Sequence, residues 1–174
     1  MSSRRFPASL SPNKFVDQGK EIDATLEIDY FERFRQLLNS SKGEIHCKIN
    51  GERVKDTRTT SLHVALTGEV ELVCQGCTEP FMFKLDRQAV LRPVYSEEQM
   101  NNAPDDVEPV LVGEDGLDIK SAVEDELILT LPLIPLFGEC KELETYQSGE
   151  LPEETIEQAE KDNPFNALKD LKFD

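Results

Sequence analysis

Residues 69–85 read EVELVCQGCTEPFMFKL, and this stretch decides the fold. Apolar residues alternate with polar ones on both sides of a central Cys-Gln-Gly-Cys. The alternating apolar positions are Val70, Leu72 and Cys74 before the turn, and Phe81, Phe83 and Leu85 after it. Alternation of this kind predicts strands with one buried face. The stretch therefore predicts two antiparallel strands joined by a tight turn, in which Gly76 is free to adopt a positive φ.

The same alternation continues outward from this hairpin. We expect the first strand to begin near Ser61, with a bulge or bend at Gly68, and the second to end at Pro93. Asn50-Gly51 predicts a further turn. Additional strand candidates are residues 21–29, 44–50 and 110–112. The sequence thus predicts an antiparallel β-sheet of about four to five strands.

One amphipathic helix is predicted over residues 118–131. Asp118 is suited to the N-cap, and Pro132 ends the helix. The apolar residues at helical spacing are Ile119, Ala122, Val123, Leu127 and Leu131. We expect this stripe to cover one face of the sheet, which gives an α+β fold. A shorter helix over residues 30–38 is predicted to be capped by Asp29.

The domain organisation follows from composition. We interpret residues 1–20 as an extended N-terminal segment and residues 21–138 as a single α+β domain that contains a mobile loop at 96–108. Residues 139–174 are predicted to be an acidic, largely flexible tail that ends in a short helix over 163–171. The apolar stripe of that helix is a candidate partner-binding site and consists of Phe165, Leu168 and Leu171.

Charge limits the classes of partner. The chain of 174 residues has 35 acidic and 19 basic residues, for a formal net charge of −16. Such a chain repels nucleic-acid backbones and anionic membranes as a whole. No apolar run is long enough to span a bilayer, and the N-terminus lacks the apolar core of a secretory signal. We therefore expect a cytoplasmic protein with reduced thiols.

The Cys74–Cys77 pair has the spacing of half a zinc site, since structural zinc usually takes four Cys or His ligands. Cys140, which follows a Pro-rich turn, is the best candidate for a third ligand. The other potential ligands are Cys47, His46 and His63. A redox role is less favoured because thioredoxin-like pairs begin a helix, whereas this pair joins two strands. We expect no cofactor, with zinc as the alternative.

No catalytic constellation is evident in the sequence. Glu124, Asp125 and Glu126 are consecutive on the predicted helix, so their side chains fan out and do not converge on one substrate. Glu126 is nearest the apolar stripe and is expected to pair with a Lys or Arg. We therefore expect a protein that is not an enzyme.

One basic cluster surrounds the Asn50-Gly51 turn. It consists of Lys48, Arg53, Lys55 and Arg58, with acidic residues interspersed. These residues are candidates for contact with RNA phosphates, and a solvated hairpin tip is the alternative interpretation.

Three segments occur in a distinctive order: LVCQGCTEPF (72–81), LDIKSAVEDELILTLPLIPLF (117–137) and NPFNALKDL (163–171). Together they resemble the bacterial YceD family, the large ribosomal RNA subunit accumulation proteins. The resemblance implies a cytoplasmic protein required for normal levels of 23S rRNA, with no known reaction. Some members carry further cysteines after L-P-x-x-P, which would complete a metal site, whereas here Cys140 alone stands in that region.

These observations lead to one expected function and two alternatives. We expect a non-enzymatic factor in large ribosomal subunit biogenesis that supports the synthesis, processing or accumulation of 23S rRNA. Its expected partners are ribosomal proteins or assembly factors, with 23S rRNA or its precursor contacted directly or indirectly and no membrane. Residues 139–162 can compete for a basic extension, and residues 165–171 can dock as a helix in a partner's groove. The alternatives are a zinc-dependent binding module and a metal-dependent RNA-processing enzyme that uses acidic residues of helix 118–131.

Overall fold

The structure is a computed structural model that describes residues 6–54, 59–104 and 107–138. In chain order its elements are β1 (Ser9–Leu10), α1 (Pro12–Asp17), β2 (Ile22–Glu27), a 3₁₀ turn (Ile28–Tyr30), α2 (Glu32–Arg35), β3 (Glu44–Arg53), β4 (Thr60–Val73), β5 (Pro80–Val94), α3 (Glu97–Asn101), β6 (Glu108–Leu111), β7 (Leu117–Asp118) and α4 (Ile119–Thr130). The predicted tail at 139–174, with its helix over 163–171, lies outside the described residues.

A five-stranded sheet with the order β2-β3-β4-β5-β6 forms the framework. The first four strands pair antiparallel, as predicted, whereas β6 runs parallel to β5. The connection between β5 and β6 contains α3, and β6 begins level with Leu91, before the end of β5. A parallel neighbour requires a crossover connection of this kind. The α+β class is confirmed, and the prediction of a wholly antiparallel sheet is corrected at this edge.

The central hairpin is formed by β4 and β5, which stay in register from Leu62↔Leu91 to Val73↔Pro80. The Cys74 N–H donates to the Glu79 carbonyl at 2.9 Å and closes the turn. Thr78 adopts a φ of 59°, while Gly76 is not among the residues with positive φ. The strand–turn–strand prediction is therefore confirmed, and the left-handed residue of the turn is Thr78.

Two glycines have roles other than those predicted. Asn50 and Gly51 lie inside β3 and pair with β4, so the predicted turn at this dipeptide is wrong. A Cβ on Gly51 would lie 2.5 Å from Val16 Cγ2, because α1 packs closely on this strand. Gly68 pairs in unbroken register with both neighbouring strands, so the predicted bulge is absent from the β4 ladder. A Cβ there would lie 2.8 Å from the Glu44 carbonyl oxygen.

Helix α4 covers the inner face of the sheet, as its apolar stripe predicted. The Asp118 carboxylate accepts the Ser121 N–H at 2.9 Å and caps the helix. The buried apolar residues of the helix are Ile119, Ala122, Val123 and Leu127. They complete a core with the inward side chains of β3, β4 and β5.

Two segments are more structured than predicted. Residues 9–17, interpreted from sequence as part of an extended lead-in, contain β1 and α1, and Phe15 is buried in the core. Phe6 is buried there as well, so the core includes residues before position 21. Residues 97–101, within the predicted mobile loop, form α3, whose N-terminus is capped by the Ser96 side chain. In both cases contacts to the sheet or a local cap stabilise a segment whose own apolar content is low.

Candidate functional site

The Cys-x-x-Cys turn contacts the segment that follows α4. Cys74 is fully buried, and its Sγ accepts the Phe137 N–H at 3.3 Å. The Gln75 N–H donates to the Pro135 carbonyl at 2.8 Å. The rings of Phe81 and Phe137 also meet, with centroids 5.8 Å apart. The first and second family-like segments of the sequence therefore form one structural unit.

The hydrogen bonds at this turn make Cys74 acidic. The pKa of the Cys74 thiol is lowered to about 6, most of all by the Phe137 N–H and next by the backbone of Cys77. Burial of the thiol acts in the opposite direction. Cys47 is the reverse case, because burial in the apolar core raises its pKa to about 12. Of these two thiols, Cys74 is the one suited to the thiolate form at neutral pH.

The described residues provide an incomplete metal site. Cys74 and Cys77 lie at the same turn, as predicted, but no described group of three or more Cys, His, Asp or Glu residues is arranged to hold a metal ion. Cys140, the predicted third ligand, lies outside the described residues. His46 lies on β3 and His63 lies in β4, eleven residues before Cys74, and they contact Asp23 and Glu52 respectively. Zinc at this turn stays a prediction.

An exposed apolar segment, residues 133–137, lies beside the Cys-x-x-Cys turn. Its side chains Leu133, Ile134, Leu136 and Phe137 are 102%, 66%, 44% and 46% exposed. This stretch is part of the resemblance seen in the sequence, but its exposure was not predicted. The signal that was available is four large apolar residues in five positions, anchored by two prolines. A cluster of this kind is typical of a protein-binding surface.

Glu124 has a structural role that the sequence did not reveal. Its carboxylate is buried and accepts the backbone N–H groups of Arg33 at 2.6 Å and of Phe34 at 3.1 Å. These are the second and third residues of α2, whose N-cap residue, Phe31, provides no capping oxygen. Glu124 thus caps α2 from a different helix. The prediction that Asp29 is the cap is wrong, and Asp29 instead pairs with Arg35.

The other two carboxylates of α4 are also held by arginines. Glu126 is buried and contacts Arg87 Nε at 2.8 Å, which confirms the predicted pairing with a basic residue. Asp125 is exposed and contacts Arg33 Nη1 at 2.7 Å. Glu124 and Asp125 both contact the Arg33 guanidinium, whereas Glu126 pairs with Arg87. The three carboxylates are therefore engaged by arginines from two different elements and do not form one acidic centre.

The predicted basic cluster is only partly described. Lys48 lies in β3, and Arg53 ends that strand. The Arg53 guanidinium donates to Asp17 Oδ1 at 2.8 Å and to Asn13 Oδ1 at 3.1 Å, so α1 holds its position. Lys55 and Arg58 lie outside the described residues. In addition, none of the described helices combines the length and the apolar character that crossing a bilayer requires.

Fold and site together define a small α+β protein in which a cysteine-bearing hairpin is joined to an acidic helix and an exposed apolar segment. The family described as "Large ribosomal RNA subunit accumulation protein YceD" matches residues 62–172, well over half of the sequence. The chain belongs to the YceD family, and the resemblance seen in the sequence is confirmed.

One relative shows the extent of this similarity. The large ribosomal RNA subunit accumulation protein YceD of Haemophilus influenzae is 40% identical over 108 residues. The matched region is 60% of this chain and 60% of the relative, so it spans less than two thirds of that protein's length. No solved structure matches the chain.

Proposed function

We propose that this protein is a non-enzymatic, cytoplasmic factor in biogenesis of the large ribosomal subunit, which supports accumulation of 23S rRNA through a basic protein partner. The family name provides the connection to large-subunit RNA. The partner is a ribosomal protein or an assembly factor, and the rRNA is affected through it.

The observation that carries this proposal is the exposed apolar segment at residues 133–137. Leu133 and Ile134 are 102% and 66% exposed, while hydrogen bonds of Pro135 and Phe137 to the cysteine turn hold the adjacent backbone. A pre-ordered apolar surface loses little conformational entropy when a partner covers it. The segment lies inside the region matched by the family.

The charge of the chain favours a basic partner. A formal net charge of −16 attracts cationic proteins over long range and repels RNA. Ribosomal proteins are a suitable class, since they must be cationic to bind rRNA phosphates. Apolar contact at residues 133–137 then provides the short-range affinity, and charge increases the rate of association.

A non-enzymatic role is supported by how the acidic helix is used. Glu124 and Glu126 are buried and engaged as a helix cap and as an arginine partner. A carboxylate that must bind a metal ion or a substrate proton would have to give up these contacts. Asp125 is the one exposed carboxylate of the three. If Asp125→Ala abolished function in a well-folded protein, an RNA-processing enzyme would be favoured instead.

The test is affinity purification of the tagged full-length chain from cells, with bound proteins and RNA both identified. The variant Leu133→Ser/Ile134→Ser removes two exposed apolar side chains, and Met82→Ser is the matched control because Met82 is 59% exposed on β5. We expect the double variant to lose its basic partner and to fail to restore the 23S to 16S rRNA ratio in cells that lack the protein. Met82→Ser should behave like the unmodified chain.

Two results would overturn the proposal. One is tight binding of the purified chain to naked 23S rRNA fragments at moderate salt with no ribosomal protein or assembly factor recovered from cells. The other is an unchanged set of partners in the Leu133→Ser/Ile134→Ser variant. Deletion of residues 139–174 tests the tail separately, because loss of the partner only in that deletion would place the contact in the tail.

A further inference from the structure

A polar cleft lies at the end of the sheet where β3 and β5 finish. It is lined by residues from α1, β3, β4, β5 and α3 and has a volume of about 450 Å³. This volume is within the range of small-ligand sites. The lining residues that bear on its chemistry are Asn13, Arg53, Thr60, Arg92, Tyr95 and Gln99.

The described lining of the cleft contains arginines instead of the acidic residues that dominate the chain. Among the described residues that line it, two are arginines and none is an aspartate or a glutamate. The Arg53 guanidinium is held by Asp17 and Asn13 of α1, and its position is therefore fixed. Arginine presents a planar array of donors that matches the oxygens of a phosphate.

Arg92 supplies the observation that points to a ligand. Its Nε is buried and, within the described part of the chain, has no hydrogen-bond partner. A buried, charged donor without an acceptor is costly, and native structures rarely leave one unsatisfied. Because Arg92 lines the cleft, a rotation of its guanidinium would bring this donor to an anion bound there.

Tyr95 adds an aromatic surface to the same cleft. Its side chain is 53% exposed, and its hydroxyl accepts the Asn13 amide at 2.9 Å. Its backbone N–H donates to Gln99 Oε1 at 2.9 Å, so α3 also holds the residue in place. An exposed aromatic ring that lines the same cleft as two arginines can receive a stacked base whose phosphate binds an arginine.

We propose that this cleft binds a nucleotide, with Arg92 contacting the phosphate and Tyr95 stacking on the base. The nucleotide is either free or a unit of single-stranded RNA. The cleft is separate from the apolar segment at residues 133–137. Loss of nucleotide binding and loss of the protein partner can therefore be measured independently.

The experiment is titration calorimetry of the full chain with adenosine monophosphate, adenosine, inorganic phosphate and a short single-stranded RNA that ends in a phosphate. We expect adenosine monophosphate to bind more tightly than either adenosine or phosphate alone. Tighter binding of the RNA than of the mononucleotide assigns the site to RNA, and equal binding assigns it to the free nucleotide.

Variants connect the binding to the cleft. Arg92→Gln should weaken nucleotide binding by about tenfold or more, as expected for loss of a charge-assisted contact. Lys84→Gln is the matched control, because Lys84 is an exposed cation on the same strand outside the cleft. Tyr95→Leu should weaken binding by roughly fivefold or more, whereas Tyr95→Phe should retain the stacking surface.

Three outcomes would overturn the assignment. They are the absence of binding by both the mononucleotide and the RNA, equal affinities for inorganic phosphate and adenosine monophosphate, and equal effects of Arg92→Gln and Lys84→Gln. If Arg92→Gln does not fold, as judged by circular dichroism, the pair Tyr95→Leu and Tyr95→Phe decides the question.

Discussion

Replacing Glu124 with alanine removes the carboxylate that caps α2 from across the core. The two backbone donors that lose their acceptor are the N–H groups of Arg33 and Phe34, which contact Glu124 Oε1 at 2.6 and 3.1 Å. Local residues offer no substitute, since the N-cap residue Phe31 has no capping oxygen and is itself fully buried. We therefore expect α2 and the buried Phe34 ring to be destabilised together.

The magnitude follows from the burial of each contact. An unsatisfied buried N–H, as at Phe34, costs about 1–3 kcal/mol. The Arg33 N–H is partly buried and can turn to water, so its loss adds about 1 kcal/mol or less. The Arg33 guanidinium is 51% exposed, and loss of its ion pair with Glu124 adds less than about 1 kcal/mol. Glu124→Ala should thus lower the free energy of unfolding by about 2–4 kcal/mol, a large part of the ~5–15 kcal/mol typical of a domain.

Urea-induced unfolding followed by circular dichroism measures this change as a shift in midpoint at constant slope. Glu124→Gln keeps an oxygen for the two N–H groups but replaces the oxygen that accepts from Arg33 Nε with an amide NH2 group, so it should cost about 1–2 kcal/mol, less than Glu124→Ala. Asp125→Ala is the matched control, since that exposed carboxylate contacts the Arg33 side chain alone, and it should cost less than about 1 kcal/mol. If Glu124→Ala were no more destabilising than Asp125→Ala, the capping argument would be refuted.

Three further predictions concern the turn and the closest packing in the sheet. With metal removed by a chelator, ultraviolet titration of thiolate should show a midpoint near pH 6 that disappears in Cys74→Ser and persists in Cys47→Ser. Because folding lowers the pKa of Cys74, the thiolate stabilises the folded protein. This contribution is complete above the unfolded pKa and declines as pH falls through about 6. A midpoint in the ordinary thiol range would contradict the role assigned to the Phe137 N–H. If the zinc alternative is correct, elemental analysis of protein from cells grown with zinc should show near-stoichiometric metal that is lost in Cys74→Ser. Metal-free protein would eliminate the zinc alternative. Gly51→Ala should lower the free energy of unfolding by about 1–3 kcal/mol, because the new Cβ would lie 2.5 Å from Val16 Cγ2. Adding Val16→Ala should recover part of the lost stability. Equal stability of the single and double variants would show that another contact is responsible.

Local patterns were sufficient where neighbours in sequence are also neighbours in space. The hairpin around residues 74–79 follows from period-two alternation on both sides of a short turn, and the register from Leu62 to Val73 agrees with it. Helix α4 begins at the predicted cap because Asp118 contacts Ser121, three residues along the chain. The pairing of Glu126 with a Lys or Arg was predicted from its position beside the apolar stripe, although the identity of the partner, Arg87, was not.

Local patterns were misleading where a glycine or a loop is explained by a distant contact. Asn50-Gly51 has the composition of a turn, yet Gly51 is required because Val16 of α1 approaches the strand. The chain before β6 gave no indication that this strand pairs parallel to β5, since strand direction depends on the path of the connection. The same holds for the candidate cleft, because Arg53 and Arg92 are distant in sequence and share a site only through pairing of the strands.

By itself, then, the sequence determined the hairpin with its cysteine turn, the helix over 118–131, the acidic character of the chain and membership of the YceD family. These features depend on residue type, period and short-range spacing. The tertiary structure alone decided that Glu124 caps another helix, that residues 133–137 form an exposed surface held by Cys74 and Gln75, and that two arginines share a cleft. Each of these depends on side chains from separate elements, and no pattern along the chain encodes which elements will meet.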